Sequence, residues 1–345
     1  MSSESPVSPD RVSGSGILLL GGSGFIGTRL AALLREQRVQ FRIGDLNPSE
    51  AFPDLWAKCD VRQLDPVSKL GAGAGAIVNF AAIHRDDVRP LYLYRETNVD
   101  GASQVCNAAR RTGAGRIVFI SSVAVYGFQP VPVDEHGPFD PFNEYGKTKL
   151  EAESIYRSWA EEDPSRSLVI VRPSVVFGEG NRGNVYNLLH QIAAGRFMMV
   201  GDGKNIKSMA YVGNLAAFLL HILGMGPGTH IFNYVDVPDM NTRSLVEHIR
   251  YALNQNGPIR KIPRGVALCG GSVLDAVAHL TGRTFPVSAV RVRKFCENTQ
   301  FLARRIDRTG FVRPYSLREG LDRTIRFEFA SNTDIAREDL AASPR

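Results

Sequence analysis

Four cysteines in 345 residues, Cys59, Cys106, Cys269 and Cys296, are too few and too far apart to build a disulfide framework. No Cys-x-x-Cys pair or histidine at ligand spacing accompanies them, so they read as reduced packing residues and no metal site is expected. Long apolar runs are also missing. Stretches such as residues 17–20 and 218–223 fall far short of the ~18 residues of a spanning helix, and no integral membrane segment is expected. The start of the chain lacks a basic-then-apolar leader pattern, which gives the expectation of a cytoplasmic protein. Charge is near balance, with 41 Lys and Arg against 35 Asp and Glu for a net +6, so nucleic acid is not an expected partner. At 43% hydrophobic and 22% charged residues the chain is neither disordered nor fibrous.

What is present is an alternation. Short β-rich apolar runs at residues 16–21, 39–45, 57–61, 76–81, 116–121 and 168–172 take turns with helical patterns at 25–37, 65–70, 91–111 and 143–162. This pattern predicts an α/β fold with a doubly wound parallel sheet, because strands apolar throughout are buried on both faces. Residues 1–14 and 331–345 are expected to be flexible tails, rich in small and polar residues. After residue 172 glycine and proline become frequent, and a smaller substrate-binding lobe is expected over 173–330, following a nucleotide-binding domain over 15–172.

The first strand runs into Gly21-Gly22-Ser23-Gly24-Phe25-Ile26-Gly27 and then into a helix. Glycines there allow a tight turn and the close approach of a pyrophosphate, whose charge suits the free N–H groups of Phe25, Ile26 and Gly27 at the helix start. The spacing is that of a Rossmann-type dinucleotide fold. Asp45 ends the second strand 18 residues past Gly27, where a carboxylate accepts hydrogen bonds from an adenosine ribose. It favours NAD, while Arg42 keeps NADP open. Asp60 and Val61 end the third strand, and Phe80, Ala81 and Ala82 end the fourth, all on the ligand-binding edge of such a sheet.

The sharpest constellation is Ser121-Ser122-Val123-Ala124-Val125-Tyr126-Gly127, followed by Tyr145-Gly146-Lys147-Thr148-Lys149. Tyr145 and Lys149 stand at i and i+4, on one helix face. A free tyrosine ionises near pH ~10, but an ammonium beside it favours the phenolate and makes it a usable general base. Ser122 is suited to hold the same substrate oxygen.

These motifs resemble the NAD-dependent epimerase/dehydratase family of extended short-chain dehydrogenase/reductases, over about residues 16–329. The resemblance implies Ser122, Tyr145 and Lys149 as the catalytic set, with Asn98 supporting the active-site lysine. It implies a cofactor set extending to Ser121, Tyr145 and Lys149 and, past the sixth strand, to Arg172, Pro173 and Val175. Dehydratases of this group carry an Asp-Glu pair where this chain has Val123 and Ala124, which argues against 4,6-dehydration. Val175 stands where epimerases often place an asparagine, and the segment is more like that of keto-sugar reductases and the 3β-hydroxysteroid dehydrogenase branch. Against a steroid, residues 201–212 resemble the sugar-nucleotide lobe, with Lys207 in place of that group's arginine.

The expectation is therefore NAD-dependent oxidoreduction at a ring carbinol, C4 by resemblance, of a nucleotide-diphosphate sugar, with epimerisation ahead of net keto-reduction. His84, Ala124, Arg182, Asn187 and Lys207 are expected around the substrate, together with Ser122 and Tyr145. A non-enzymatic dinucleotide-sensing regulator is the alternative from another class, disfavoured because both Tyr145 and Lys149 are kept. A homodimer through helices 143–162 and 91–111 is expected by resemblance. The arginines Arg283, Arg291, Arg293, Arg304, Arg305 and Arg308 could grip phosphates or an anionic membrane surface, although such runs are more often a solvated face.

Overall fold

The structure, a computed structural model, describes residues 16–329 apart from residues 86, 271, 273–291, 293 and 294. The expected tails, residues 1–14 and 331–345, lie outside the described residues, as do Arg283, Arg291 and Arg293.

The chain forms two compact units. The first comprises Met1–Val176, Ala210–Asp236 and Phe301–Tyr315. Its frame is a parallel sheet built from β1 (Gly16–Leu20), β2 (Phe41–Asp45), β3 (Trp56–Lys58), β4 (Ala74–Asn79), β5 (Arg116–Ile120), β6 (Ser167–Pro173) and a last strand, Gly228–Tyr234. The order across the sheet is last strand, β6, β5, β4, β1, β2, β3. Strand order reverses between β4 and β1, the switch point where open α/β sheets take ligands at the carboxyl ends of their strands.

Helices cover both faces, which is why the central strands are apolar at every position. Leu18, Leu20, Ile77, Ile117, Phe119, Leu168 and Ile170 pack with Val105, Tyr156 and Trp159 on one face. Ile17, Leu19, Val78, Val118, Val169 and Val171 pack with Leu30, Leu34, Leu215 and Phe218 on the other. The helices on the first face are α2 (Leu64–Leu70), α4 (Gly101–Thr112) and α5 (Glu144–Glu161), and α1 (Phe25–Glu36) with Val212–Ile222 covers the second. Each large apolar side chain buried this way contributes roughly 1.5–3 kcal/mol relative to exposure.

Two features depart from the sequence pattern. The single helix expected over 91–111 is broken into α3 (Tyr92–Arg95), a π-helical turn at Glu96–Asp100 and α4. The sheet also continues past residue 172, because Gly228–Tyr234 pairs with β6 along its whole length. That strand begins exposed and glycine-led, and only its carboxyl half is buried, so it carries little of the apolar signature of its neighbours.

The second unit comprises Phe177–Met209, Val237–Gln300 and Ser316–Arg345. Within it helix Thr242–Ala252 packs against both Asn184–Ala193 and Leu317–Phe329. Short pairings join Met240–Asn241 to Ile206–Lys207 and Lys261–Ile262 to Met199–Val200.

Candidate active site

The glycine turn is shaped by the room each glycine leaves. Gly21 has φ +71°, and a Cβ on it would lie 2.6 Å from the Ala81 nitrogen. A Cβ on Gly27 would lie 2.6 Å from the Gly22 Cα, so the start of α1 rests directly on the turn. Gly24 differs, since among the described residues, its chain neighbours aside, its would-be Cβ meets only the Gly21 carbonyl oxygen within 4 Å, at 3.2 Å. This glycine is the exposed N-cap of α1 and supplies no side-chain cap to the helix. The first-turn N–H groups therefore face a cradle that a methyl group would begin to fill, as a pyrophosphate site requires.

Asp45 stands at the end of β2, half-buried. One carboxylate oxygen accepts from the Ser23 N–H and the other from the Asn47 N–H, both at 3.1 Å. A carboxylate has about four lone-pair sites, so acceptor capacity is left for two ribose hydroxyls. Arg42 donates to the Leu70 carbonyl at 3.3 Å. The Asp60 carboxylate is held by Arg62, Nε donating to Oδ1 at 2.9 Å and Nη2 to Oδ2 at 2.6 Å, and this guanidinium lowers its pKa. Residues Phe80 to Ala82 are half-buried, and Ala81 donates its N–H to Asn79. This edge fits a dinucleotide: a cradle for its phosphates, an acid for its ribose and small residues where it crosses the sheet.

The reactive end is assembled by α5. Asn143 caps the helix, its Oδ1 accepting from the Gly146 N–H at 2.9 Å. Gly146 lets the first helical turn close on the short 3-10 turn Val123–Tyr126, since a Cβ there would lie 2.5 Å from the Ala124 carbonyl oxygen. Ser122 caps that turn by accepting from the Ala124 N–H at 3.1 Å. Its acceptor side is thereby used locally, and its proton is left to donate to a substrate oxygen.

Lys149 is 2% exposed and donates to the Ile120 carbonyl at 2.6 Å, so the end of β5 holds its ammonium. Its nitrogen lies 4.6 Å from the Phe119 ring centroid and 5.9 Å from that of Tyr145. Burial pulls its pKa down to about 7, against the opposing charge of Glu153. A cation held under the Tyr145 ring favours the phenolate.

Several expected residues have other roles. Asn98 reaches the backbone of Ile83 and the Thr148 hydroxyl, at 2.9 Å, rather than Lys149 itself. It pins the segment after β4 to α5, next to the lysine, and helical spacing alone does not reveal the π turn that carries it. Arg172 is fully buried, and its donors go to Glu153, Tyr126 and the Glu135 carbonyl. Its side chain belongs to the core and not to the cofactor set, because a buried guanidinium must spend its donors on protein partners. The Ser121 hydroxyl likewise points inward, donating to Glu153 at 2.6 Å. Pro173 is buried at the end of β6, whereas Val175 and His84 are exposed.

Arg182, Asn187 and Lys207 lie in the second unit. Arg182 pairs with Glu328 at 2.8 Å and lies over the Tyr186 ring, and Asn187 is exposed. Lys207 donates to the Glu297 carbonyl at 2.6 Å, and burial lowers its pKa to about 8. Gly146 and Glu153 are absent from the expected site. Glu153 has one sequence signal, its place four residues after Lys149 on the same helix face. Among the described residues no group of His, Cys, Asp and Glu is arranged to hold a metal ion, and no helix is long and apolar enough to cross a membrane.

The fold is that of a dinucleotide-binding α/β enzyme, and Ser122, Tyr145 and Lys149 lie near the end of β5 on its ligand-binding edge. Residues 17–234 match the model of the NAD dependent epimerase/dehydratase family. The chain belongs to that family and is an enzyme of the extended short-chain dehydrogenase/reductase type. It is 46% identical over 325 residues to an N-acetyl-alpha-D-glucosaminyl-diphospho-ditrans,octacis-undecaprenol 4-epimerase of Escherichia coli O157:H7, covering 92% of this chain and 97% of that one. A UDP-glucose 4-epimerase of Vibrio cholerae is 26% identical, with 94% and 98% covered. Among solved structures, a UDP-N-acetylglucosamine 4-epimerase from Methanobrevibacter ruminantium M1 in complex with UDP-N-acetylmuramic acid superposes with a TM-score of 0.71 at 20% identity, covering 91% of this chain and 97% of that one. A Thermus thermophilus UDP-glucose 4-epimerase in complex with NAD gives 0.70 at 19% identity, covering 90% and 98%. At such identities these two likenesses speak for the fold.

Proposed function

We propose that the protein is a C4 epimerase of sugar 1-diphosphates, removing the hydrogen of a ring carbinol from one face and restoring it to the other. The observation that carries this is the convergence of Ser122, Tyr145 and Lys149 at the end of β5, on the sheet edge that also bears the Gly24 cradle and Asp45. NAD held in that cradle by the α1 N-terminus and Asp45 supplies hydride acceptance and return. Tyr145 takes the C4 hydroxyl proton as hydrogen leaves carbon and gives it back on return. Ser122 donates to the same oxygen, which fixes the carbinol against the tyrosine. Lys149, anchored on the Ile120 carbonyl, biases Tyr145 towards its phenolate.

Two substrate families share the hexose 1-diphosphate ester, one on a nucleoside and one on a polyprenol. Identity of 46% to a polyprenol-linked-sugar epimerase, against 26% to a UDP-glucose epimerase, favours the lipid-linked one. Lys207, Arg182 and Asn187 are the proposed donors to the diphosphate, with Lys207 and Arg182 exchanging their present partners for it. A homodimer through α4 and α5, acting on the cytoplasmic side, completes the proposal.

The test is to incubate purified protein with undecaprenyl-diphospho-N-acetylglucosamine and, separately, UDP-N-acetylglucosamine, and to resolve C4 epimers by chromatography and NMR. Epimer should form without added reductant, and deuterium placed at C4 should be retained in the product. No epimer from either compound, or stoichiometric consumption of nicotinamide cofactor, refutes the proposal.

A further inference from the structure

Beneath the reactive set lies a buried charged hub that the mechanism above does not use. Glu153 is 1% exposed, one helical turn beyond Lys149 on α5. Its Oε1 accepts from the Ser121 hydroxyl at 2.6 Å and from Arg172 Nε at 2.8 Å, and its Oε2 accepts from Arg172 Nη2 at 2.5 Å. Arg172 in turn donates to the Tyr126 hydroxyl at 2.6 Å, and Tyr126 donates to Asn233 at 2.6 Å. Three consecutive residues at the end of β5 are thus committed to different tasks. The Ile120 carbonyl holds Lys149, the Ser121 hydroxyl holds Glu153, and Ser122 is left for substrate.

We propose that Glu153 is a positioning residue: by gripping Ser121 while Lys149 grips Ile120, it locks the end of β5 to α5 and so sets Ser122 against Tyr145. Arg172 anchors this grip from β6. The other ionisable or charged groups around the hub are Tyr145 and Arg157 on the same helix, Tyr126 from the 3-10 turn, and Glu135 from the loop that follows it. Arg95 of α3 pairs with Glu151 on α5, and Arg110 of α4 with Glu162, which caps the end of α5. Glu153 is therefore the anion on the lysine's own helix face, and it acts against the desolvation that depresses the lysine. The grip also accounts for a serine before the reactive one, since an alanine in its place would leave Glu153 Oε1 with Arg172 alone and the strand end without its tie to α5.

The test uses two variants, Ser121→Ala and Glu153→Gln, and rests on the reaction proposed above. If the wild-type enzyme turns over no sugar diphosphate, that reading fails before a variant is made; if it does, the variants judge the hub alone. Ser121→Ala should lower kcat roughly 10- to 100-fold, the scale of a small misplacement of a reactive group, with KM and NAD binding unchanged and the melting temperature lowered only as far as one lost buried hydrogen bond requires. Glu153→Gln should lower kcat and also move the alkaline limb of the kcat profile to lower pH, because the lysine loses its supporting anion. A role in folding alone would change melting temperature or active fraction and leave that limb in place. Wild-type kcat in Ser121→Ala overturns the proposal, as does an unmoved alkaline limb in folded Glu153→Gln. If Glu153→Gln does not fold, Ser121→Ala decides alone.

Discussion

Gly24→Ala and Gly27→Ala should separate binding of the cofactor from stability of the fold. At Gly27 the new methyl carbon would stand 2.6 Å from the Gly22 Cα and 2.7 Å from its carbonyl oxygen, both backbone atoms. Overpacking of this kind costs about 1–3 kcal/mol, against about 1 kcal/mol gained from alanine's helix propensity. The variant should lose up to about 2 kcal/mol of stability along with its cofactor site. At Gly24 the backbone, φ −73° and ψ 175°, suits alanine, and the methyl would meet one oxygen at 3.2 Å. Its cost is the poorer N-cap, about 0.5–1 kcal/mol. The same methyl enters the space over the helix N-terminus, so NAD affinity should fall at least tenfold, or about 1.4 kcal/mol. Melting curves with and without NAD check this: excess ligand at about 100 times the wild-type Kd stabilises by about 2.7 kcal/mol, a gain of which Gly24→Ala should lose about half or more. A Gly24→Ala protein that binds NAD as tightly as the wild type would refute a pyrophosphate over this turn.

Tyr145→Phe should lower turnover by about 10²-fold or more while leaving NAD binding intact, and an active variant would remove the tyrosine from the chemistry. Lys149→Met should be as inactive, yet its stability should respond differently to pH. Burial depresses the lysine to about 7, so wild-type stability should rise with pH from about 7 towards the free-lysine value near ~10.4, and melting temperatures across that range should show no such rise in the variant. Asp236 tests the opposite sign. It is fully buried, and desolvation raises its carboxyl to about 6 against roughly 4 when unfolded, so its contribution is present below pH ~4 and lost as pH passes 6. The span of about two units corresponds to about 3 kcal/mol, and Asp236→Asn should flatten the wild-type decline in stability over that range.

The sheet's central strands and the placing of Tyr145 and Lys149 on one helix face are readable because they are local. Residues 17–20 and 77–78 are apolar at each position and could only be buried on both faces. Tyr145 and Lys149 are fixed to one helix face by four residues of spacing, and the glycines of the turn by the strand before and the helix after. What stays hidden depends on residues distant in the chain. Arg172 is assigned to the cofactor by resemblance, yet a core position for arginine requires the carboxylate of Glu153, nineteen residues away, together with Tyr126 and Glu135. The last sheet strand is lost among glycines because half of it is exposed and its burial is supplied by β6.

The same distinction explains how the two serines divide. Read from the sequence, Ser122 is suited to hold the substrate oxygen, and Ser121 belongs to the cofactor set by resemblance alone. Alternation along a strand sends neighbouring side chains to opposite sides. Ser121 turns inward, where Glu153 awaits its proton, and Ser122 turns to the 3-10 turn, where it accepts an N–H and keeps its own proton for the substrate. A helix whose face carries a lysine and, one turn later, a glutamate can therefore hold the strand end by its carbonyl and its first hydroxyl while leaving the second hydroxyl for chemistry. That division follows from a period of two meeting a period of about 3.6.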